Sequence, residues 1–303
     1  MKTFSIVSRF DDLTLSGAVF EPQGDVKGIF QIVHGMAEHK ERYYPFMEFL
    51  AANGFAALIA DIRGHGESVK DARDLGYMYS GGWKAMVDDV KTVRDWAVAQ
   101  YPGVPVTLFG HSMGSMVVRS FVKRYDSLID RLIVCGSPSD NPAKGAGAAL
   151  AAVVSAVCGG HHRSKLLNAM SFGAYNKPFA AEGDFAWLSR NRANAEAYIA
   201  DPLCGYCFTA NGFRGLMGVM KDCYGTEGWA MAKPEMPVMF ISGGDDPCRV
   251  SDKDFEKAVD FFRRRGYTNV RSKIYQGLRH EILLETEAPT VFEDICKFIE
   301  YYL

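Results

Sequence analysis

The chain has 303 residues, of which 48% are hydrophobic and 23% are charged. This is the balance of an ordinary globular protein and excludes a disordered or fibrous one. The formal net charge is −2, and lysine and arginine are scattered, so no basic stripe is available to neutralise a phosphate backbone and nucleic acid is not expected as a partner. The first residues lack the apolar region and cleavage site of a secretory signal, and seven cysteines, an odd number, indicate reduced thiols. We therefore expect a cytoplasmic protein.

Alternating segments at the amino terminus, 4–9 and 13–20, flank an Asp-Asp pair and predict a hairpin at a sheet edge. Six short, mostly apolar runs then predict strands buried on both faces, at 28–33, 55–60, 104–109, 131–135, 238–241 and 270–275. Apolar residues three and four apart predict helices at 44–52, 82–100, 113–125, 253–265 and 289–302. This alternation predicts an α/β fold with a mostly parallel, doubly wound sheet.

The alternation breaks between residues 139 and 233, which hold two helical stretches rich in Ala, Trp and Tyr but no convincing buried strand. We predict a helical cap over 139–233, inserted into a core formed by 1–138 and 234–303. At that position it would cover the carboxyl ends of the strands, where ligands bind.

Two features of the predicted cap bear on membrane insertion and on metal binding. The run 146–158 is shorter than the roughly 20 residues that a spanning helix needs, so we expect a helix over a pocket instead. Cys204 and Cys207 form a tight pair, but no second pair or suitably spaced histidines follow, so we expect no metal site.

The segment Gly110-His111-Ser112-Met113-Gly114 stands between a predicted strand and a predicted helix. A serine hydroxyl is a poor nucleophile unless a base takes its proton and a strained turn presents it to the substrate. Gly110 and Gly114 allow strand and helix to pack closely, which exposes Ser112 at the top of the sheet. This context predicts a nucleophile elbow with Ser112 as the nucleophile.

A nucleophile on such a turn needs a base and an acid, which follow it in the order acid, then histidine. His280 lies in a loop before the last helix and is the predicted base, because His161 and His162 precede every plausible acid. Asp246 is the predicted acid, with Asp245 as the alternative, since the spacing from Gly243 is common in this loop. The acid would orient the imidazole and stabilise its charged form.

Backbone donors for an oxyanion are expected from two places. One is the N–H of Met113, directly after the nucleophile. The other is the N–H of Met36, in the loop His34-Gly35-Met36 that follows the strand at 28–33.

Four stretches carry a resemblance to a known family. The chain resembles the α/β-hydrolase superfamily, and more closely its monoacylglycerol lipase and lysophospholipase branch, also described as serine-aminopeptidase-like. The stretches are His34-Gly-Met-Ala-Glu-His39 with Arg42-Tyr43, which resembles HGxxEHxxRY; Asp61-Ile-Arg-Gly-His-Gly-Glu-Ser68, which resembles DxRGxGxS; the elbow; and Tyr275-Gln-Gly-Leu-Arg-His-Glu281.

The other polar residues of these motifs are expected to be structural. Glu38, His39 and Arg42 would lock the oxyanion loop by charge-assisted hydrogen bonds, and Asp61, Arg63 and Ser68 would brace the neighbouring loop. His65 and His111 are expected to be packed and not catalytic.

The resemblance implies a serine hydrolase of carboxylic esters, acting on a monoacylglycerol or a lysophospholipid through an acyl-enzyme on Ser112. It implies no metal and no organic cofactor, and with a lipid substrate we expect transient contact with a membrane surface. The alternatives are an exo-acting serine aminopeptidase, a small-ester esterase, or a catalytically idle scaffold that binds a ligand. A peptidase would need convergent acids in the cap, and Glu182, Asp184, Glu196 and Asp201 are not obviously convergent. The sequence predicts no oligomeric state.

Overall fold

A computed structural model describes residues 1–303 as eight strands and nine α-helices. The strands are β1 (Lys2–Val7), β2 (Thr14–Phe20), β3 (Gly28–Val33), β4 (Phe55–Ala60), β5 (Val106–His111), β6 (Arg131–Cys135), β7 (Val238–Gly243) and β8 (Val270–Tyr275). The helices are α1 (Tyr44–Ala52), α2 (Gly82–Gln100), α3 (Met113–Tyr125), α4 (Lys144–Cys158), α5 (Lys165–Phe172), α6 (Arg192–Ala200), α7 (Ala210–Cys223), α8 (Asp252–Arg265) and α9 (Ala288–Tyr301).

All eight strands form one sheet in the order β1-β2-β4-β3-β5-β6-β7-β8. β2 runs antiparallel to β1 and to β4, and every other neighbouring pair is parallel. The predicted amino-terminal hairpin is therefore confirmed at the sheet edge, and so is the mostly parallel α/β sheet. Parallel strands need crossover helices, which leave the carboxyl ends of the strands together at one edge.

Two apolar clusters cover the faces of the sheet. One holds buried residues of α2, α3, α7 and α8, and the other holds those of α1 and α9. Strands β3, β5, β6 and β7 are buried along their whole length, as expected for strands covered on both faces. The central strands thus form a rigid platform for the loops at their carboxyl ends.

Strand β8 departs from the prediction of a strand buried on both faces. Its bounds are as predicted, but Arg271, Ser272 and Lys273 are exposed. β8 is the last strand of the sheet and pairs only with β7. Polar and charged side chains on such an edge also discourage pairing with another chain.

Between β6 and β7 the chain forms four α-helices, α4 to α7, and contributes no strand to the sheet. This is more helix than the two predicted stretches, because the Ser- and Thr-initiated turns at α5 and α7 begin helices of their own. The hydroxyl of Thr209 accepts a hydrogen bond from the Gly212 amide at the start of α7, which is a helix N-cap. Helix α7 packs against α2 and α3, and α4 packs against α7. No helix of the structure is both long and apolar enough to cross a membrane.

Candidate active site

Ser112 stands on the turn between β5 and α3. Its φ and ψ angles are 53° and −118°, a strained conformation for a residue with a side chain. A Cβ on Gly110 would lie 2.5 Å from the carbonyl oxygen of Gly114, and one on Gly114 would lie 2.1 Å from that of Val33. Only glycine fits at these two positions, so strand and helix pack closely and the serine is presented at the edge of the sheet.

The loops after β7 and β8 bring an aspartate and a histidine to this serine. The hydroxyl of Ser112 lies 2.8 Å from Nε2 of His280. On the other side of the ring, Nδ1 lies 3.0 Å and 2.9 Å from the two carboxylate oxygens of Asp246. The three side chains therefore form one chain of hydrogen bonds from a buried carboxylate to a half-buried hydroxyl.

The structure distinguishes the predicted acid, Asp246, from its alternative, Asp245. Asp246 is buried and also accepts hydrogen bonds from the amide of Cys248, at 2.8 Å, and from the hydroxyl of Ser242, at 3.2 Å. Asp245 is exposed. His161, one of the other histidines, is also exposed and stacks on Tyr77 away from the elbow.

The carboxylate of Asp246 controls the charge state of the histidine. Burial of the ring lowers the pKa of His280, but the negative charge of Asp246 and the hydrogen bond to it raise that pKa by more. The net result is a pKa above the ordinary value of 6.5. The imidazolium that forms when the ring takes a proton is therefore stabilised in place.

Glu38 ties the loop after β3 to its surroundings. Its carboxylate accepts from the amide of Gly35 at 2.5 Å, from the hydroxyl of Tyr43 at 2.9 Å and from Arg42 at 2.9 Å. Arg42 also donates two hydrogen bonds to Glu281, at 2.6 Å and 2.8 Å. Burial raises the pKa of Glu38, but the hydrogen bond to His111 and the charge of Arg42 lower it by more. Because Glu281 follows the histidine of the site, one ion-pair network holds both loops.

The two amides predicted to face an oxyanion are free within the chain. Met113 is the first residue of α3, where an amide has no partner inside the helix. Neither its N–H nor that of Met36 donates to another group of the protein. A Cβ on Gly35 would lie 3.1 Å from Cβ of Ser112, so the loop of Met36 directly abuts the elbow.

Two buried histidines of the motifs bridge loops. Nδ1 of His34 donates to the carbonyl of Gly35 at 2.8 Å, and Nε2 accepts from the amide of Ile62 at 2.8 Å. Burial lowers the pKa of His34 to about 4 and that of His65 to about 3, so both rings are neutral. His111 lies between Glu38 and the carbonyl oxygen of His280, at 3.4 Å and 3.2 Å.

The neighbouring loop is braced by ion pairs. Asp61 accepts from the amide and the ammonium group of Lys40, each at 2.8 Å. Arg63 is fully buried and pairs with Asp89 and Asp11, at 2.7 Å and 2.8 Å. These contacts connect the loop to α2 and to the amino-terminal hairpin.

A cavity of about 320 Å³ opens over Ser112 and His280. Its lining is mostly apolar and aromatic, and includes Met36, Met113, Phe172, Trp187, Leu216 and Met217. No lysine or arginine lines it. The helix predicted over residues 146–158 is confirmed as α4, but its predicted position over the pocket is wrong, because no residue of α4 lines the cavity. Helices α5 and α7 line it, and α4 packs on α7.

The sequence did not indicate that Trp187 lines the cavity. The ring of Trp187 lies 5.0 Å from that of His280, measured between centroids. Trp187 comes from an irregular segment between α5 and α6, where neither spacing nor a motif could relate it to a histidine far along the chain. It covers one side of the imidazole and excludes water from it.

The sheet, its crossovers and the glycine-flanked serine define an α/β-hydrolase. The chain belongs to the Hydrolase_4 family, described as serine aminopeptidase, S33, whose model matches residues 24–287. It is 27% identical to a monoacylglycerol lipase of Mycolicibacterium smegmatis over 94% of this chain and 92% of that one. It is 24% identical to human monoglyceride lipase over 91% and 82%.

A solved structure shares the fold. The crystal structure of a thermostable carboxyl esterase from Bacillus coagulans superposes with a TM-score of 0.90 at 24% identity, over 99% of this chain and 98% of that one. The sequence-based identification of the superfamily and of its monoacylglycerol lipase branch is thus confirmed. The relatives support ester hydrolysis as the chemistry of this chain.

Proposed function

We propose that the protein is a serine hydrolase that cleaves the ester bond of a monoacylglycerol through an acyl-enzyme on Ser112. One observation carries the proposal: the hydrogen-bond chain from Asp246 through His280 to Ser112 opens into a mostly apolar cavity that has no cationic side chain. A nucleophile, a base and an orienting acid are what acyl transfer requires.

In the proposed mechanism, Oγ of Ser112 attacks the ester carbonyl while Nε2 of His280 takes its proton. Asp246 holds the ring in the correct tautomer and stabilises its positive charge. The amides of Met36 and Met113 donate to the oxyanion of the tetrahedral intermediate. His280 then protonates the leaving alcohol, and a water molecule activated by the same ring hydrolyses the acyl-enzyme.

The lining of the cavity favours a neutral head group over a phosphate. Its uncharged polar residues, such as Asn168 and Ser171, can hydrogen-bond hydroxyl groups. A phosphate would lie near Glu281 and Asp184, which also line the cavity, without any arginine or lysine beside it. We therefore place monoacylglycerols ahead of lysophospholipids as substrates.

The test is hydrolysis of p-nitrophenyl esters from acetate to palmitate, together with monoacylglycerols and lysophosphatidylcholine. Each buried methylene contributes about 0.8 kcal/mol, so kcat/KM should rise about fourfold per methylene until the cavity is filled. Monoacylglycerols should be cleaved faster than lysophosphatidylcholine of the same chain length. Ser112→Ala serves as the blank and should lose at least about 10⁴-fold in kcat.

Two results would contradict the proposal. Activity confined to acetate esters would indicate a small-ester esterase. A folded protein whose Ser112 is not labelled by a fluorophosphonate probe would indicate an idle binding scaffold.

An exo-acting aminopeptidase is a second candidate, because the family is described as serine aminopeptidase. Such an enzyme needs carboxylates that converge on the amino group of its substrate. Glu182, Glu196 and Asp201 are each paired with an arginine or a histidine outside the cavity. Of the four acids considered, only Asp184 lines the cavity, and it is exposed. Glu38 and Glu281 also line it, but both are paired with Arg42, so we expect amino-acyl nitroanilides to be much poorer substrates than esters.

We also propose transient contact with a lipid surface, which would deliver an insoluble substrate to the cavity. On α4, Val153 and Val157 lie one turn apart and are 58% and 79% exposed. On α5, Leu166 and Met170 are 58% and 63% exposed. Pairs of large apolar side chains at helical spacing on exposed helices are typical of surfaces that meet lipid.

A further inference from the structure

A cluster of three different ligand types lies where the cap meets the loop after β3. His39 comes from that loop, and Asp201 and Cys204 come from the turn that follows α6. One ligand atom from each residue lies within 4.8 Å of the other two. His39 and Cys204 are buried, and Asp201 is partly exposed, so the cluster is closed on the inside and open to solvent on one side.

The orientations of His39 and Asp201 suit metal coordination. Nδ1 of His39 donates to the carboxylate of Glu41, which leaves Nε2 directed at Asp201, 2.7 Å from Oδ2. A carboxylate on the far nitrogen is the usual arrangement for a histidine that binds a metal through the other nitrogen. Oδ1 of Asp201 accepts from the amide of Leu203 at 2.8 Å, so the side chain is held with Oδ2 directed at Nε2 of His39, where a cation would enter between the two atoms.

We propose that His39, Asp201 and Cys204 bind a divalent cation of the Zn²⁺ type, through Nε2, a carboxylate oxygen and Sγ, with water as the fourth ligand. Imidazole, carboxylate and thiolate together select a borderline-soft ion over Mg²⁺ or Ca²⁺. Tetrahedral coordination needs ligand atoms about 3.4 Å apart, so the pair at 2.7 Å opens slightly as the ion enters.

The charges around the cluster already favour a cation. Both ring nitrogens of His39 face carboxylates, those of Glu41 and Asp201. A carboxylate oxygen only accepts, so the hydrogen bond between Nε2 and Asp201 places a proton on Nε2. The nearby guanidinium of Arg42 is paired with Glu38 and Glu281.

Binding of the ion displaces the proton on Nε2 and the proton of the Cys204 thiol. The neutral ring and the thiolate are the forms that coordinate a metal, so the affinity should rise with pH.

The bound ion would join two parts of the molecule that already touch. The amide of Gly205 and the hydroxyl of Tyr198 both donate to the carbonyl oxygen of Ala37, each at 2.9 Å. Ala37 follows Met36, whose amide we propose as an oxyanion donor. A metal bond across this contact would hold the cap against the oxyanion loop.

A second cluster of possible metal ligands lies in the candidate active site. Ligand atoms of Asp246, Cys248 and His280 also lie within 4.8 Å of one another, but all three residues are buried and the histidine is already held by Asp246 and Ser112. A metal could enter there only by breaking that hydrogen-bond chain. We therefore assign the cation to the cluster of His39.

The experiment is a titration of the full-length protein with Co²⁺ under reducing conditions above neutral pH, followed by displacement with Zn²⁺. We expect one Co²⁺ per chain, a thiolate-to-cobalt charge-transfer band, and loss of that band when Zn²⁺ is added. Cys204→Ser should abolish the band, and Asp201→Asn should weaken binding at least about tenfold. Cys207→Ser, a half-buried cysteine three residues away, should leave the band intact.

Several results would overturn the proposal. These are the absence of a thiolate band in the wild-type protein, a band that survives Cys204→Ser, and a band lost on Cys248→Ser but not on Cys204→Ser. Circular dichroism of each variant shows whether the protein remains folded. If Cys204→Ser does not fold, Asp201→Asn and the Cys207→Ser control decide the result, because Asp201 is partly exposed.

Discussion

At the scale of single residues, two adjacent aspartates in the loop after β7 have opposite environments. Asp246 is held by the amide of Cys248 and the hydroxyl of Ser242 against the ring of His280. Asp245 is exposed. A buried carboxylate exerts a strong field on its neighbour, whereas the field of an exposed one is screened by water.

The exchange of Asp246→Asn should therefore change both the rate and the pH profile. The base acts only when His280 is neutral, so kcat/KM of the wild type rises with pH through a pKa above 6.5. Without the carboxylate, that pKa falls, and the acid limb moves to lower pH. The plateau of kcat should fall by about 10⁴-fold.

Asp245→Asn is the matched control and should leave both the plateau and the acid limb unchanged. The reverse pattern, with damage from Asp245→Asn and none from Asp246→Asn, would show that the acid is assigned to the wrong residue. The measurement is the pH dependence of p-nitrophenyl ester hydrolysis.

At the scale of elements, the site depends on how closely α3 packs against the sheet. β5 pairs with β3 so that Gly110 lies beside Val33. The same neighbour limits the first turn of α3, where a Cβ on Gly114 would meet the carbonyl oxygens of Val33 and His34 at 2.1 Å and 2.3 Å. These are backbone atoms of a buried strand and its loop, which cannot move aside.

Gly114→Ala should therefore lower the free energy of unfolding by about 1–3 kcal/mol, as for an overpacked core. Gly145→Ala is the control, because Gly145 lies in the first turn of α4 with no atom within 4 Å of its Cβ position. It should raise the stability by about 0.5–1 kcal/mol. Urea unfolding measures both, and equal stability of Gly114→Ala and wild type would contradict the argument.

At the scale of the whole molecule, the helices between β6 and β7 present one side to the cavity and another to solvent. α5 and α7 contribute to the lining, whereas most of α4 is exposed and only Ala151 on it is fully buried. An apolar helix with so little buried surface is costly in water. Contact with a lipid surface would relieve that cost and place the cavity beside its substrate.

The double variant Val153→Glu/Val157→Glu should therefore bind lipid vesicles more weakly. Losing the burial of each valine costs about 1.5 kcal/mol, or about tenfold in partitioning. Hydrolysis of a water-soluble p-nitrophenyl ester should be unchanged, since neither residue lines the cavity.

Cosedimentation with phosphatidylcholine vesicles that carry a monoacylglycerol measures the effect. Val7→Glu, at an exposed valine of the edge strand β1, is the control and should bind as the wild type does. Equal binding by all three proteins would contradict lipid contact through α4.

The sequence by itself determined the order and type of the core elements, the family and the candidate site residues. Strands such as β3, β4 and β6 have the predicted bounds, because apolar periodicity and turn glycines are local properties of the chain. The elbow at Ser112 could be predicted because its glycines and its flanking strand and helix are adjacent in sequence.

Only the tertiary structure decided the rest. In the folded protein β8 is exposed at the edge of the sheet, α4 lies outside the lining of the cavity, and the ring of Trp187 packs against that of His280. The tertiary structure also joined His39 to Asp201, 162 residues along the chain, where the sequence predicted no metal site. Such contacts depend on how whole elements pack, and no local pattern records which distant faces will meet.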